Sequence, residues 1–142
     1  MPIRSANATW NGNLKEGKGI VSTESGLFTD AAYNFSQRFE NQKGTNPEEL
    51  LGAAHAACYS MALSAGLSGA GYTVVSVQTT DKVHVEKVGD GFTITKIEVN
   101  TIAEVQKIDS ETFLKFAEET KKACPVSKAL TGVEFILTAK LK

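Results

Sequence analysis

From Leu50 to Ser68 the chain carries no charged residue, and this run constrains the fold more than any other feature. The segment GTNPEELLGAAHAACYSMALSAGLSGAGY reads as one long helix. Asn46 suits the N-cap, Pro47 the first helical position, and Glu48 and Glu49 complement the positive end of the helix dipole. Gly69 and Gly71 supply the stop. A helix without charge all round is buried in a protein core or in a membrane. Its content of Ala, Gly and Ser, the presence of His55 and its marginal length favour a central helix of a compact or intertwined fold.

The flanking sequence supplies what such a helix packs against. IRSANATW and GKGIVSTES alternate as strands, with Gly12, Gly17, Gly19 and Gly26 as punctuation. YNFSQRFE alternates too, which predicts a strand with Tyr33, Phe35 and Phe39 on one face and Ser36, Arg38 and Glu40 on the other. Residues 73–105 predict two strands joined at Gly89-Asp90-Gly91. DSETFLKFAEETKKA predicts an amphipathic helix with Phe113, Phe116 and Ala117 inward, ended by Pro125, and VEFILTAKLK closes as a strand. This order is an α+β pattern in one domain, residues 1–142. A net charge of −1 gives no field to recruit nucleic acid or an anionic membrane. Residues 1–20 lack an apolar run with basic flanks, so a cytoplasmic, reducing location is expected.

Two cysteines in a reducing compartment point to catalysis, metal binding or plain core filling rather than a permanent disulfide. Cys58 sits mid-helix on a stripe with Leu51, Ala54, Met61, Ala62 and Ala65, where a small buried hydrophobe is one reading. Cys124 precedes Pro125, which can open a second helix, PVSKAL, and so place the thiol at a cap among backbone N–H groups that favour a thiolate. Three chemistries could use such a pair. Zinc, drawing on His55, Cys58, His84 and Cys124, lacks close-spaced ligand pairs in both halves. Redox sensing without turnover is the second. The third is peroxide reduction, in which one thiolate becomes a sulfenic acid and the other cysteine condenses with it.

RFENQKGTNPEELLGAAHAACYSMALS and ACPVSKAL, together with the early W-x-G and G-x-G-x-V-S-T-E-S-G, resemble the osmotically inducible protein C (OsmC) family and its relative, the organic hydroperoxide resistance proteins. The resemblance covers nearly the whole chain. It implies antiparallel sheets around long central helices in an intertwined homodimer. It implies a thiol-dependent peroxidase, active under oxidative and osmotic stress, that prefers organic hydroperoxides. Cys58 matches the peroxidatic cysteine, Cys124 the resolving cysteine, Arg38 the active-site arginine and Glu48 its acidic partner. No flavin, haem or metal is implied, and the external reductant is a dithiol, small or lipoyl-type. Leu51, Met61, Phe39 and Tyr59 are candidates for the wall of an apolar substrate pocket.

Physical chemistry pulls partly against this assignment. The cap argument names Cys124 as the more acidic thiol, and desolvation mid-helix raises Cys58. A cation must overrule burial, and Arg38 is the candidate. Ten helical residues also put Glu48 about 15 Å along the axis from Cys58. An active site at a dimer interface resolves this. The competing class is a sensor whose cysteine pair oxidises once without turnover.

Overall fold

The computed structural model describes residues 1–142. The chain gathers into two compact units, Met1–Leu50 and Leu51–Lys142. The reason lies in the strand pairing, which closes within each unit and gives two separate three-stranded sheets.

In the first unit β1 (Ala6–Asn11), β2 (Lys18–Thr23) and β3 (Ala31–Tyr33) form an antiparallel meander. Gly19 lies opposite both Trp10 and Tyr33, and a Cβ there would overlap the Tyr33 ring. Only Gly can sit between the two aromatics, whose rings lie 5.5 Å apart. The expected strand at YNFSQRFE is half replaced. β3 stops at Tyr33, and Phe35–Phe39 forms a short helix, α1. Asn34 caps it, its side-chain oxygen accepting from the Gln37 N–H at 2.9 Å. Phe35 and Phe39 are four apart, so a helix also brings them together, and their rings meet at 5.1 Å. Arg38 is therefore a helix residue, not one on a strand face.

The uncharged run forms α2 (Pro47–Gly69), which starts in the first unit and continues through the second. Asn46 caps it as expected, accepting from the Glu49 N–H at 2.8 Å. Beyond its end Gly71 takes a positive φ of 91°, the conformation glycine adopts most cheaply. Gly52, His55, Tyr59, Leu63 and Leu67 form the buried stripe of α2. Ala53, Ala54, Ala57, Met61 and Ala65 are exposed in the single chain. The helix is thus apolar all round but covered on one side only.

The second unit packs that stripe on a sheet ordered β4–β5–β6. β4 (Thr73–Val88) and β5 (Gly91–Gln106) make the expected hairpin, turning at Gly89 with φ of 61°. α3 (Ser110–Ala123) and α4 (Pro125–Ala129) then carry the chain across to β6 (Glu134–Leu141). The crossover returns β6 parallel to β5, so this sheet is mixed rather than antiparallel. Tyr59, Leu63 and Leu67 meet Ile97, Val99 and Ala103 of β5 and Phe113 of α3 in one core.

Candidate active site

Cys124 is the joint between two helices. Its N–H donates to Thr120 O at 3.0 Å and ends α3, and it stands at the N-cap of α4. Pro125 disfavours the helical region for the residue before it, and Cys124 accordingly has a ψ of 130°. That turn drives its sulfur onto α2. The two Sγ atoms lie 2.8 Å apart across 66 residues of sequence. Both thiols are free. Cys58 is part-exposed, whereas Cys124 is fully buried.

The surroundings push the two thiols apart. Burial raises Cys58 above its ordinary value of 9.0, the adjacent Cys124 sulfur adds to that, and one N–H from Val126 opposes it. Burial raises Cys124 too, but hydrogen bonds from Cys58, from the Ser127 N–H and hydroxyl and from the Val126 N–H outweigh it and bring the thiol below 9.0. In the single chain the first proton lost therefore belongs to the pair, with the charge favoured on Cys124.

A polar chain starts at Ser127, three residues after Cys124, and runs into the core. Ser127 Oγ is 2.8 Å from His55 Nε2, and His55 Nδ1 is 2.5 Å from Asp81 Oδ2 on β4. His55 is fully enclosed, Phe135 stacks on its ring, and Asp81 Oδ1 is buried without a donor. Sequence analysis finds neither Asp81 nor Ser127 as a partner of His55. The available signal was an Asp in the middle of an alternating strand and a Ser three residues after Cys124. Both His55 nitrogens are committed, and His84 lies beside Glu98, so the four residues considered for zinc do not converge. No group of three or more His, Cys, Asp or Glu side chains is placed to hold a metal.

The other candidate pair lies within the first unit. Arg38 Nε donates to Glu48 Oε1 at 2.9 Å, with the arginine side chain 38% exposed and the glutamate 8%. The partner is Glu48, not the sequence neighbour Glu40. The guanidinium carbon sits 4.9 Å over the Phe39 ring. Trp10, Leu14, Tyr33, Phe35, Arg38 and Phe39 line a cavity of about 220 Å³. Of the four expected wall residues, Phe39 lines this space, Leu51 packs on the core of the second unit and Met61 is exposed. Tyr59 is fully buried in the core, and its hydroxyl donates to Ala117 O at 3.0 Å. The phase of α2 turns Tyr59 inward with Leu63.

Two free thiols of unlike exposure, held in contact between a core helix and a helix joint, define a dithiol redox protein of α+β fold. A family model described as OsmC-like protein matches residues 40–138. Peroxiredoxin OsmC of Escherichia coli (strain K12) is 50% identical over 139 residues, covering 98% of this chain and 96% of that protein, and Peroxiredoxin OsmC of Shigella flexneri matches equally. The organic hydroperoxide resistance protein OhrB of Bacillus subtilis shares the fold with a TM-score of 0.68 at 26% identity, covering 97% of this chain and 98% of that chain. An organic hydroperoxide resistance protein from Elizabethkingia anophelis gives a TM-score of 0.72 at 25% identity, covering 99% of both chains. The chain belongs to the OsmC family.

Proposed function

We propose that this protein is a cysteine peroxidase that reduces organic hydroperoxides in preference to hydrogen peroxide. The observation that carries the reading is the contact of two free thiols 2.8 Å apart, one part-exposed and one enclosed. Unequal access supports the division of roles. A peroxide reaches Cys58, and Cys124 is shielded from it. The Cys58 thiolate attacks the outer oxygen of ROOH, the O–O bond breaks, ROH leaves and Cys58 becomes a sulfenic acid. Cys124 then attacks that sulfur, the S–S bond forms, the S–O bond breaks and water leaves. An external dithiol, small or lipoyl-type, reduces the disulfide. No resident cofactor takes part.

Cys58 is raised by its surroundings, so a cation must stabilise its thiolate. Arg38, held by Glu48, is the group we assign to that task. Glu48 occupies Nε and leaves the outer nitrogens of the guanidinium for a peroxide. α2 carries both Glu48 and Cys58, about 15 Å apart along its axis. We therefore place the working site at the interface of a homodimer. Two features support the dimer. The first unit fully buries no apolar side chain, and α2 exposes Ala53, Ala54, Ala57, Met61 and Ala65. Such an apolar stripe of small residues lets a second helix approach closely.

The test compares cumene hydroperoxide with hydrogen peroxide under steady state, with dithiothreitol as reductant. Many turnovers with a higher kcat/KM for cumene hydroperoxide are expected. One oxidation per chain without turnover would overturn the reading in favour of a sensor.

A further inference from the structure

The peroxidase reading uses two cysteines, Arg38 and Glu48, and leaves the most deeply buried ionisable pair of the second unit without a task. His55 and Asp81 have side chains 0% and 1% exposed, with Nδ1 and Oδ2 2.5 Å apart. Asp81 Oδ1 is buried without a donor. A carboxylate taken out of water on such terms costs stability, and an apolar pair of the same volume would cost less. The other end of His55 shows what the pair holds.

His55 Nε2 is 2.8 Å from Ser127 Oγ, and Ser127 belongs to α4, a helix of five residues. A helix so short has no stability of its own. Its backbone bonds, Lys128 N–H to Cys124 O at 3.0 Å and Leu130 N–H to Val126 O at 3.1 Å, keep its shape but not its place. Ser127 is the one buried residue within it. Its place is set by the junction with α3 before it, by Leu130 packing on the core after it, and by the Ser127 hydrogen bond within it.

That hydrogen bond and the thiol contact share one register. His55 and Cys58 are three residues apart on α2, one above the other and about 4.5 Å apart along the axis. Cys124 and Ser127 are three residues apart across the start of α4. His55 meets Ser127 and Cys58 meets Cys124, so the two segments run in opposite senses and touch at two points. Sliding α4 by one residue along α2 would break both contacts together.

We propose that Ser127, held by His55 and through it by Asp81, is a positioning residue that fixes α4 on α2 with the Cys124 sulfur against Cys58, so that resolution starts from two sulfurs already in place. The step it serves rests on the peroxidase reading. Ionised Asp81 accepts from Nδ1–H, which orients the ring and turns Nε2 to Ser127. A hydroxyl both donates and accepts, so Ser127 answers Nε2 whether or not it carries a proton. In the resolving step the Cys124 sulfur attacks the sulfur of the Cys58 sulfenic acid. The S–S bond forms, the S–O bond breaks, and the hydroxyl leaves as water with the Cys124 proton. Asp81, His55 and Ser127 take part in none of the bonds that change.

The first test needs no peroxide. The protein is equilibrated with reduced and oxidised glutathione, each 58–124 disulfide formed converting one glutathione disulfide into two thiols, and the oxidised fraction is read by mass spectrometry after an acid quench. Ser127→Ala should lower the equilibrium constant for the intrachain disulfide about tenfold or more, because the disulfide must then order α4 by itself. The second test is a single turnover with cumene hydroperoxide. Ser127→Ala should consume peroxide at the unmodified rate, while its Cys58 sulfenic acid lasts about tenfold longer and is trapped by dimedone. A residue that only supported the fold would not separate the two steps. An unchanged glutathione equilibrium in a Ser127→Ala chain that still melts cooperatively overturns the proposal. So does a deficit that vanishes as pH rises through the thiol range, since Ser127 would then act on the acidity of Cys124 and not on its place. If Ser127→Ala does not fold, Ser127→Thr and Ser127→Val, alike in shape and different in the hydroxyl, replace it, and equal equilibria in the two overturn the proposal. If the unmodified protein does not turn over peroxide, the peroxidase reading falls and the glutathione equilibrium still decides whether Ser127 places Cys124.

Discussion

Replacing Arg38 by lysine keeps the charge and removes the planar fork of donors. The size of the effect follows from two separate contributions. Burial raises the Cys58 thiol above 9.0 and holds it protonated at neutral pH. For any thiol, each unit by which a cation lowers the pKa raises the thiolate by at most about tenfold. Nucleophilicity falls with pKa with a slope of about 0.4–0.5, so each unit takes back roughly 2.5- to 3-fold. The net gain from ionisation is then only about 3- to 4-fold per unit, and it stops once the pKa passes the working pH. The larger contribution must come from donors aimed at the oxygen that leaves. In the structure Nε is already committed to Glu48 at 2.9 Å, so the outer nitrogens remain for that role. A lysine carries its three donors on one nitrogen and cannot reproduce the planar, separated pair of contacts to Glu48 and the peroxide. Losing one preorganised donor costs about 10²- to 10³-fold, or roughly 2.7–4 kcal/mol. Arg38→Lys should therefore lose about 10²-fold or more in kcat/KM, nearly as much as Arg38→Ala. The assay is cumene hydroperoxide reduction with dithiothreitol, with a thermal melt to show both variants folded. Near-normal turnover in Arg38→Lys refutes the fork argument and leaves charge as the whole effect. Near-normal turnover in Arg38→Ala removes Arg38 from the site.

Three further outcomes are expected. Cys58→Ser should abolish peroxide reduction, whereas Cys124→Ser should accumulate a dimedone-reactive sulfenic acid, and peroxide-treated wild type should yield a 58–124 disulfide within one chain by mass spectrometry. Equal residual turnover in the two serine variants contradicts the division of roles. Met61→Glu puts a charge in the middle of the exposed face of α2 and should shift the proposed dimer to monomer in light scattering; a dimer mass that does not change places the interface elsewhere, and a monomer mass in the unmodified protein refutes the dimer. Tyr59→Phe removes the hydroxyl that donates to Ala117 O and should cost about 1 kcal/mol in denaturant unfolding while leaving peroxide turnover intact, which a true pocket residue would not.

Local signals were legible in the chain where local physics decides. Asn46, Pro47 and the glycines after Ser68 mark both ends of α2, and Pro125 marks the joint at Cys124. The α1 segment was not, because Phe35 and Phe39 satisfy an alternating pattern and a helical one equally. A capping bond from Asn34 tips it to helix. The direction of β6 was hidden because it depends on how α3 and α4 cross the sheet. Family resemblance supplied Cys58, Cys124, Arg38 and Glu48. It did not bring in Asp81 or Ser127, which stand 26 and 72 residues from His55 and meet it only through tertiary packing. The mid-helix stripe drawn through Cys58 was out of phase with the buried one, which runs through His55 and Tyr59.

Trp10 is the sole tryptophan of the chain and lines the same cavity as Arg38. Its indole N–H donates to Gly12 O at 3.1 Å, which fixes the ring in place. Tryptophan emission from this protein therefore has a single origin, on the wall of the cavity that Arg38 also lines. An alkyl group entering the cavity would strip water from the indole and shift its colour, with no label attached. Tyr33, at 5.5 Å, passes its excitation to the same ring, so light absorbed by either is reported from one spot. The fluorescence of the protein is in effect a built-in gauge of whether that cavity is wet or filled.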